Sequence, residues 1–107
     1  MQVGSLAEPY AEIGNSVVLE DYAAAGHDSK IGDYCHICAK VNIGGGCQIG
    51  QSSFLGLHSA TKQDVVIGEY AVVGMGGIVL EDVNSWTIVA GVPAKKIKDR
   101  TNDMRVF

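Results

Sequence analysis

Aliphatic residues recur along this chain with a period of six. The position four places after each of them, from Ala11 to Val83, holds a residue that is small or β-branched. An α-helix would need apolar spacing near 3.6 residues, so the pattern favours short β-strands with inward-facing side chains. The first inward column consists of Ala7, Ile13, Leu19, Ala25, Ile31, Ile37, Ile43, Ile49, Leu55, Thr61, Ile67, Val73 and Val79, and only Thr61 is not aliphatic.

The dipeptide Ile-Gly recurs at a constant spacing, beginning at positions 13, 31, 49 and 67. Each step equals three hexapeptides, so each repeat predicts one coil of three short strands joined by three turns. The coils are 13–30, 31–48, 49–66 and 67–84, after a partial N-terminal coil. We therefore predict an all-β fold, a single-stranded parallel β-helix of about 4–5 coils over 1–93, followed by a short basic tail at 94–107. Periodicity alone leaves the handedness of the coil open.

Glycine follows many members of the inward column. We expect these glycines to serve the tight bends between strands, where glycine has the conformational freedom that other residues lack. Trp86 lies just past the last full coil, and we expect its large ring to cover the open end of the apolar interior. The glycines concerned are Gly14, Gly26, Gly32, Gly44, Gly50, Gly56, Gly68 and Gly74.

Composition narrows the class of protein. The chain has 107 residues, which suits one domain, and its 47% hydrophobic and 7% aromatic residues predict a core of small aliphatic side chains. No apolar run approaches the roughly 20 residues of a membrane span and no basic-then-apolar leader opens the chain, so we expect a cytoplasmic protein.

Charge is unevenly distributed. The net charge is −4, yet residues 95–107 hold five basic and two acidic residues, which leaves −7 for the rest of the chain. We therefore expect no nucleic-acid partner for the body of the protein. The basic segment, with Lys95, Lys96, Lys98 and Arg100, is suited to a phosphate group.

Three cysteines are present, Cys35, Cys38 and Cys47. Only Cys35 and Cys38 have the two-residue gap of a metal-binding pair, and the chain has no second pair. We therefore expect reduced thiols packed as small hydrophobic residues, and no metal.

Two local strings make the repeat more specific: Gly26-His27-Asp28-Ser29-Lys30-Ile31-Gly32-Asp33 and Ile88-Val89-Ala90-Gly91-Val92-Pro93-Ala94-Lys95. With the repeat, they resemble the hexapeptide-repeat acyltransferases, in particular bacterial sialic acid O-acetyltransferases and nucleotide-amino-sugar N-acetyltransferases. The resemblance implies a left-handed coil, acetyl-CoA as co-substrate and a homotrimer with sites between protomers. Those enzymes begin with a βαβ subdomain that holds the sugar nucleotide, whereas this chain starts almost directly in the coils. The acceptor therefore stays open as a hydroxyl or amine of a sugar or another small molecule.

The resemblance also assigns roles to single residues. His27 matches the catalytic base, with Asp28 beside it to fix the imidazole tautomer. His36 matches a second histidine near the acyl group, and Gly45 matches the backbone amide that meets the thioester oxygen. Acyl transfer from a thioester needs such a base and such a donor for the developing oxyanion.

Candidate coenzyme A contacts come from glycine and lysine. Gly56, Gly74 and Gly76 form flat faces along which a pantetheine arm can lie, and Lys95 and Lys96 are placed to pair with phosphates. Turn geometry explains the same glycines, and a solvated segment explains the lysines, so these assignments stay open.

Two other functions use the same fold. One is a non-catalytic trimeric binding or scaffold module, in which His27 is only an exposed turn histidine. The other is a γ-carbonic-anhydrase-like metalloenzyme, which needs histidines in register. Positions 27, 36 and 58 differ by 9, 22 and 31, none of which is a whole number of coils. This spacing disfavours the metalloenzyme.

Overall fold

A computed structural model describes residues 4–101, and these residues form fifteen β-strands. Thirteen of the strands are only two residues long, as a six-residue repeat requires. The bounds are Leu6–Ala7 (β1), Glu12–Ile13 (β2), Val18–Leu19 (β3), Ala24–Ala25 (β4), Lys30–Ile31 (β5), His36–Ile37 (β6), Asn42–Ile43 (β7), Gln48–Ile49 (β8), Phe54–Leu55 (β9), Ala60–Thr61 (β10), Val66–Ile67 (β11), Val72–Val73 (β12), Ile78–Val79 (β13), Thr87–Ala90 (β14) and Lys95–Asp99 (β15).

Successive strands belong to three different sheets, so that every third strand is a neighbour. Sheet A has the order β1-β4-β7-β10-β13, sheet B has β11-β8-β5-β2, and sheet C has β15-β14-β12-β9-β6-β3. Pairing is parallel except between β14 and β15, and partners such as Ile13 and Ile31 are one coil apart. The predicted all-β fold, a parallel β-helix of about five turns built from hexapeptide repeats, is confirmed.

Both predicted inward columns form the core. Members of the first column from Leu19 to Val79 are buried, including Thr61, whereas Ala7 and Ile13 in the first coil are partly exposed. In the second column, thiols and hydroxyls donate hydrogen bonds to carbonyl oxygens 15 residues ahead: Cys35 Sγ to Gly50 O at 3.0 Å, and Ser53 Oγ to Gly68 O at 2.9 Å. Cysteine and serine can therefore make the same hydrogen bond at this position, although Ser29 Oγ donates instead to Gly26 O at 2.6 Å.

Three corners join the sheets, and we call them the AB, BC and CA corners after the sheets that they connect. The AB corner contains residues 9–10, 27–28, 45–46 and 63–64, the BC corner 15–16, 33–34, 51–52, 69–70 and 85–86, and the CA corner 21–22, 39–40, 57–58 and 75–76. The second residue of each of these turns has a positive φ, and in eleven cases it is not glycine. The unusual backbone conformation is thus repeated whatever the side chain.

The glycines after the inward column have a different role from the one that the sequence predicts. None of the eight has a positive φ, so conformational freedom is not what selects them. A Cβ added to Gly56 would lie 2.8 Å from Met75 N and 2.8 Å from Val73 O, in the next coil. Glycine is required here because successive coils stack at this point with no room for a side chain.

The last coil is closed by a return of the chain. Lys95–Asp99, part of the segment predicted as a basic tail, runs antiparallel to β14, and Ala94 packs against the core. Trp86 does not cover the interior as predicted. It stacks on Tyr70 at the BC corner, with ring centroids 4.3 Å apart, because its turn directs the side chain away from the core. Among the described residues, no helix is long or apolar enough to cross a membrane.

Candidate active site

His27 and Asp28 form a hydrogen-bonded pair at the AB corner. The bend between β4 and β5 brings Asp28, which has a φ of 58°, round to the ring of its neighbour. His27 Nδ1 lies 3.2 Å from Asp28 Oδ2, and both side chains are about two-thirds exposed. An ionised carboxylate only accepts hydrogen bonds, so this pairing favours the tautomer with its hydrogen on Nδ1. The lone pair of Nε2 is then free to accept a proton.

Gly45 lies beside that nitrogen, one coil further along the corner. A Cβ added to Gly45 would collide with the His27 ring, Nε2 being the nearest atom. The Gly46 N–H donates to His27 O at 2.9 Å and ties the two turns together. Within residues 4–101, the Gly45 N–H donates to no other residue. The structure therefore brings a proton acceptor and an unused backbone donor next to each other.

Glu8 also belongs to this site, although no sequence motif marks it. Its Oε1 accepts a hydrogen bond from the His27 N–H at 3.1 Å, and the Asp28 N–H donates to Pro9 O at 3.2 Å. The preceding coil thus fixes the backbone of the His27 turn. Glu8 occupies the position equivalent to Gly26 in the preceding coil, so aligning the coils one above another would have placed it there.

His36 lies on the outer side of sheet C. Its Nε2 is 2.6 Å from Glu20 Oε2, and its ring packs against Phe54 with centroids 5.3 Å apart and a tilt of 50°. The other Glu20 oxygen, Oε1, accepts from the Ala39 N–H at 3.1 Å. His36 is therefore held between the two neighbouring coils by the contacts of its ring with Glu20 and Phe54.

The three histidines occupy different sides of the protomer. His27 is at the AB corner, His58 is at the CA corner, and His36 is on sheet C, which lies across the core from the AB corner. His27 and His36 therefore cannot share a substrate within one chain. The same separation means that no single ion can contact all three histidines of one protomer.

The predicted coenzyme A residues fall into two groups. Gly56, Gly74 and Gly76 all lie where sheet C meets the CA corner, and β15 places Lys95 opposite Ala90, which contacts Gly74. Gly45 is at the AB corner with His27 instead. The pantetheine and phosphate candidates therefore follow the side of the protomer that carries His36.

Two cationic residues of the C-terminal segment already have partners. Lys96 Nζ lies 2.8 Å from Asp99 Oδ1, although both side chains are largely exposed. Arg100 Nη1 donates to Ser52 O at 3.2 Å and to Tyr70 O at 3.1 Å, with its guanidinium carbon 5.8 Å from the centre of the Tyr70 ring. Arg100 therefore ties the segment that follows β15 to the BC corner, and its guanidinium already has partners there.

The two cysteines with the two-residue gap do not act as a pair. Cys35 belongs to the second inward column, and burial raises the pKa of its thiol. Cys38 is also buried, and its sulfur faces Glu20 and His36. Burial, and then the charge of Glu20, raise the pKa of Cys38 to about 11. The expectation of reduced, packed thiols fits all three cysteines, which are free and buried, and Cys38 also faces the polar side chains of Glu20 and His36.

A shallow groove of about 480 Å³ follows the outer face of sheet B. No motif or repeat position in the sequence indicates this groove. Its floor is lined by one residue from each strand of sheet B, namely Glu12, Lys30, Gln48 and Val66. Gly32 and Gly50 border it on one side, where they add no side chains. It extends from sheet B to the BC corner, where Asp33, Glu69 and Ser85 line it, and so it lies on the other side of sheet B from the His27 turn.

Comparison with known proteins shows that several acyltransferases resemble this chain. Residues 10–45 match the family model "Bacterial transferase hexapeptide (six repeats)". Over 83 residues, 78% of this chain and 32% of the relative, the sequence is 31% identical to the acyl-acyl-carrier-protein–UDP-N-acetylglucosamine O-acyltransferase of Pseudomonas putida. The chain thus spans about a third of the curated relatives that it matches.

Solved structures of acyltransferases also resemble this chain in fold and sequence. A perosamine N-acetyltransferase variant from Caulobacter crescentus, in complex with CoA and GDP-perosamine, is 26% identical with a TM-score of 0.77, over 90% of this chain and 54% of that one. A UDP-N-acetylglucosamine O-acyltransferase from Moraxella catarrhalis is 28% identical with a TM-score of 0.85, over 89% and 37%. A serine acetyltransferase from Neisseria gonorrhoeae is 27% identical with a TM-score of 0.82, over 90% and 42%.

Proposed function

We propose that this chain, a hexapeptide-repeat protein that resembles acyltransferases, moves an acyl group from a thioester to a hydroxyl or amine of a sugar or another small molecule. Fold and relatives support acyl transfer as the class of reaction. Acetyl-CoA is the donor that we propose, since two similar structures contain CoA. The observation that carries the proposal is the contact between the His27 ring, oriented by Asp28, and the backbone of Gly45.

The chemistry follows from these three residues. His27 Nε2 takes the proton of the acceptor while the acceptor oxygen or nitrogen attacks the thioester carbonyl. The carbonyl oxygen becomes an oxyanion, which the Gly45 N–H stabilises by a hydrogen bond. The carbon–sulfur bond then breaks, and the departing thiolate takes the proton from the imidazolium. Asp28 stabilises the imidazole ring of His27 while the ring is charged.

A complete site requires a second protomer. His36 and the glycines near the CA corner lie across the core from His27, so a substrate that touches both must lie between two chains. A homotrimer provides three such sites by symmetry, each with the AB corner of one protomer facing sheet C of the next. His36 then contacts the acyl group from the neighbouring chain. Asp28 and Gly45 act from the same chain as His27.

Lys95 and Lys96 are proposed to meet the phosphates of CoA. Truncation after Ala94 would also remove β15 and the Arg100 contacts, so single substitutions are the sharper test. Lys95→Ala should weaken acetyl-CoA binding and reduce its salt dependence. Lys96→Ala should have a smaller effect, because Lys96 is already paired with Asp99. Unchanged affinity in both variants would remove these lysines from the site.

Turnover and subunit exchange test the whole proposal. Purified protein is assayed by mass spectrometry for acyl transfer from acetyl-CoA to a panel of amino sugars and hydroxylated acceptors. His27→Ala and His36→Ala protomers, each weakly active, are then mixed and reassembled. If each site takes one histidine from each of two chains, every mixed trimer regains one complete site of its three. In an equimolar mixture about three quarters of the trimers are mixed, so activity should return to about a quarter of the wild-type value.

Other outcomes distinguish the alternatives. Transfer only from an acyl-acyl-carrier protein would correct the donor, as the names of the curated relatives suggest. Absence of transfer from either donor, with an intact trimer, would favour the binding or scaffold module. Mixed trimers no more active than their parents would contradict a site shared between protomers.

A further inference from the structure

Sheet C carries a second group of reactive side chains beside the proposed acyl site. His36 and Cys38 are two positions apart at the end of β6. β3 pairs with β6 so that Leu19 lies opposite Ile37, which places Glu20 beside Cys38. A donor atom of each of the three residues lies within 4.8 Å of the other two. The stacking of successive coils therefore brings together a carboxylate, an imidazole and a thiol.

We infer that Glu20, His36 and Cys38 bind a thiophilic divalent cation of the Zn²⁺ class. Zinc takes sulfur, nitrogen and carboxylate oxygen ligands, whereas Ca²⁺ and Mg²⁺ prefer oxygen alone. Three protein ligands leave the fourth tetrahedral position for water or another small ligand. The proposal does not depend on acyl transfer, although it shares His36 with that site.

The geometry needs only a small adjustment. Zn–N and Zn–O lengths of about 2.0 Å and a Zn–S length of about 2.3 Å give a tetrahedron with edges of roughly 3.3–3.7 Å. The Glu20 Oε2–His36 Nε2 separation of 2.6 Å must widen, since the ion takes the place of the shared proton. The remaining distances, at most 4.8 Å, must shorten by about 1 Å, which side-chain rotation supplies.

The surroundings fix the ligands and leave an entry path. The Ala39 N–H holds Glu20 through Oε1 and leaves Oε2 directed at the cluster, while Phe54 packs on the His36 ring. Gly56, one coil beyond Cys38, adds no side chain above the sulfur. Glu20 and His36 are each about a third exposed, so an ion can reach them from solvent.

Electrostatics favours a cation at this point. Burial, and secondly repulsion by the Glu20 charge, oppose ionisation of the Cys38 thiol in the metal-free protein. A bound divalent ion removes that repulsion and converts the thiol into a thiolate ligand, with its proton released to solvent. The cysteine spacing offers Cys35 as the partner of Cys38. The fold provides His36 and Glu20 instead, which is why a sequence that predicts no metal can hold a candidate site.

Co²⁺ is a suitable probe, because its complex with a thiolate absorbs in the near ultraviolet and its visible bands report tetrahedral geometry. Untagged, reduced protein is titrated with Co²⁺ and then with Zn²⁺ as competitor. We expect one ion per chain and a thiolate band that Zn²⁺ abolishes. The Zn²⁺-bound protein should also unfold at a higher temperature than the metal-free protein.

The other two cysteines supply the matched control. In a Cys35→Ser, Cys47→Ser double variant, serine takes a position that Ser29 and Ser53 already occupy in the repeat, so the band should persist. Cys38→Ser should abolish it, and Glu20→Gln should weaken binding by at least the roughly 10–100-fold typical of losing an outer-shell partner. No thiolate band in the wild-type protein, or a band unchanged in Cys38→Ser with native circular dichroism, would overturn the proposal.

Discussion

The AB and BC corners have the same backbone conformation, but their side chains have different roles. Both repeat a turn whose second residue has a positive φ, Asp28 in one and Tyr70 in the other. At the AB corner the turns carry an exposed imidazole over a bare glycine. At the BC corner Tyr70, Trp86 and Arg100 pack on one another and on backbone carbonyls. The repeat therefore builds the scaffold, and the turn side chains decide whether a corner stabilises the coil or presents a reactive group.

Replacing His27 gives the largest expected effect on activity. His27→Ala should lower turnover by about 10²–10⁴, the usual contribution of general acid–base assistance. The thermal midpoint should hardly change, because the side chain is two-thirds exposed and supports no core contact. His58→Ala is the matched control, as His58 is an exposed turn histidine with a similar φ at the CA corner. Equal turnover in the two variants would remove His27 from the mechanism.

A side chain added at Gly45 should also lower turnover, because it would displace the His27 ring at the AB corner. A Cβ there collides with the His27 ring, and displacement of a reacting group by about 1 Å can lower the rate by roughly 10². The φ of Gly45 is not positive, so Gly45→Ala is compatible with the backbone and should stay folded. Gln63→Ala, at the equivalent turn position one coil further on, should retain activity. A fully active Gly45→Ala variant would show that the ring position does not matter.

At the BC corner, by contrast, a substitution should lower stability and leave turnover unchanged. Arg100→Ala removes two hydrogen bonds from a charged donor and the contact with the Tyr70 ring. We expect it to lower the free energy of unfolding by about 1–2 kcal/mol, given partial exposure. Turnover measured at temperatures well below the thermal unfolding midpoint should be unaffected. Lys98→Ala, on the exposed face of β15, is the control, and a larger loss of stability in that variant would contradict the bracing role of Arg100.

The periodic part of the structure is predictable from the sequence because one rule applies at every coil. A residue that faces inward at Ile31 must do so at Ile49 and Ile67, since a shift by one would move the whole column to the surface. The parallel sheets and the core follow from that rule. The glycine positions follow too, although their physical reason is stacking of coils and not turn geometry.

The contacts that define the sites were harder to predict because they join different positions of the repeat. Glu8 lies 19 residues from His27, and Glu20 lies 16 residues from His36. Each pair depends on a long side chain reaching across a coil, which the apolar pattern does not report. The antiparallel return of β15 and the placement of Arg100 lie beyond the repeat, so no rule of the coil applies to them.

The smallest expected effect on stability is that of replacing Cys35, which lies in the core of the coils. Cys35→Ser replaces a buried thiol by a hydroxyl that can donate to the same Gly50 oxygen, as Ser53 does to Gly68, so turnover at neutral pH should be unchanged. The two proteins should diverge only in alkali. Burial holds the pKa of Cys35 above its ordinary value of 9.0, so the unfolded chain loses this proton first and the native state loses stability as pH rises above about 9. Serine does not ionise in this range, and the variant should lose less stability between pH 8 and 10 in chemical denaturation. Parallel pH profiles would show that Cys35 ionises equally in both states and that the burial of its sulfur has no energetic consequence.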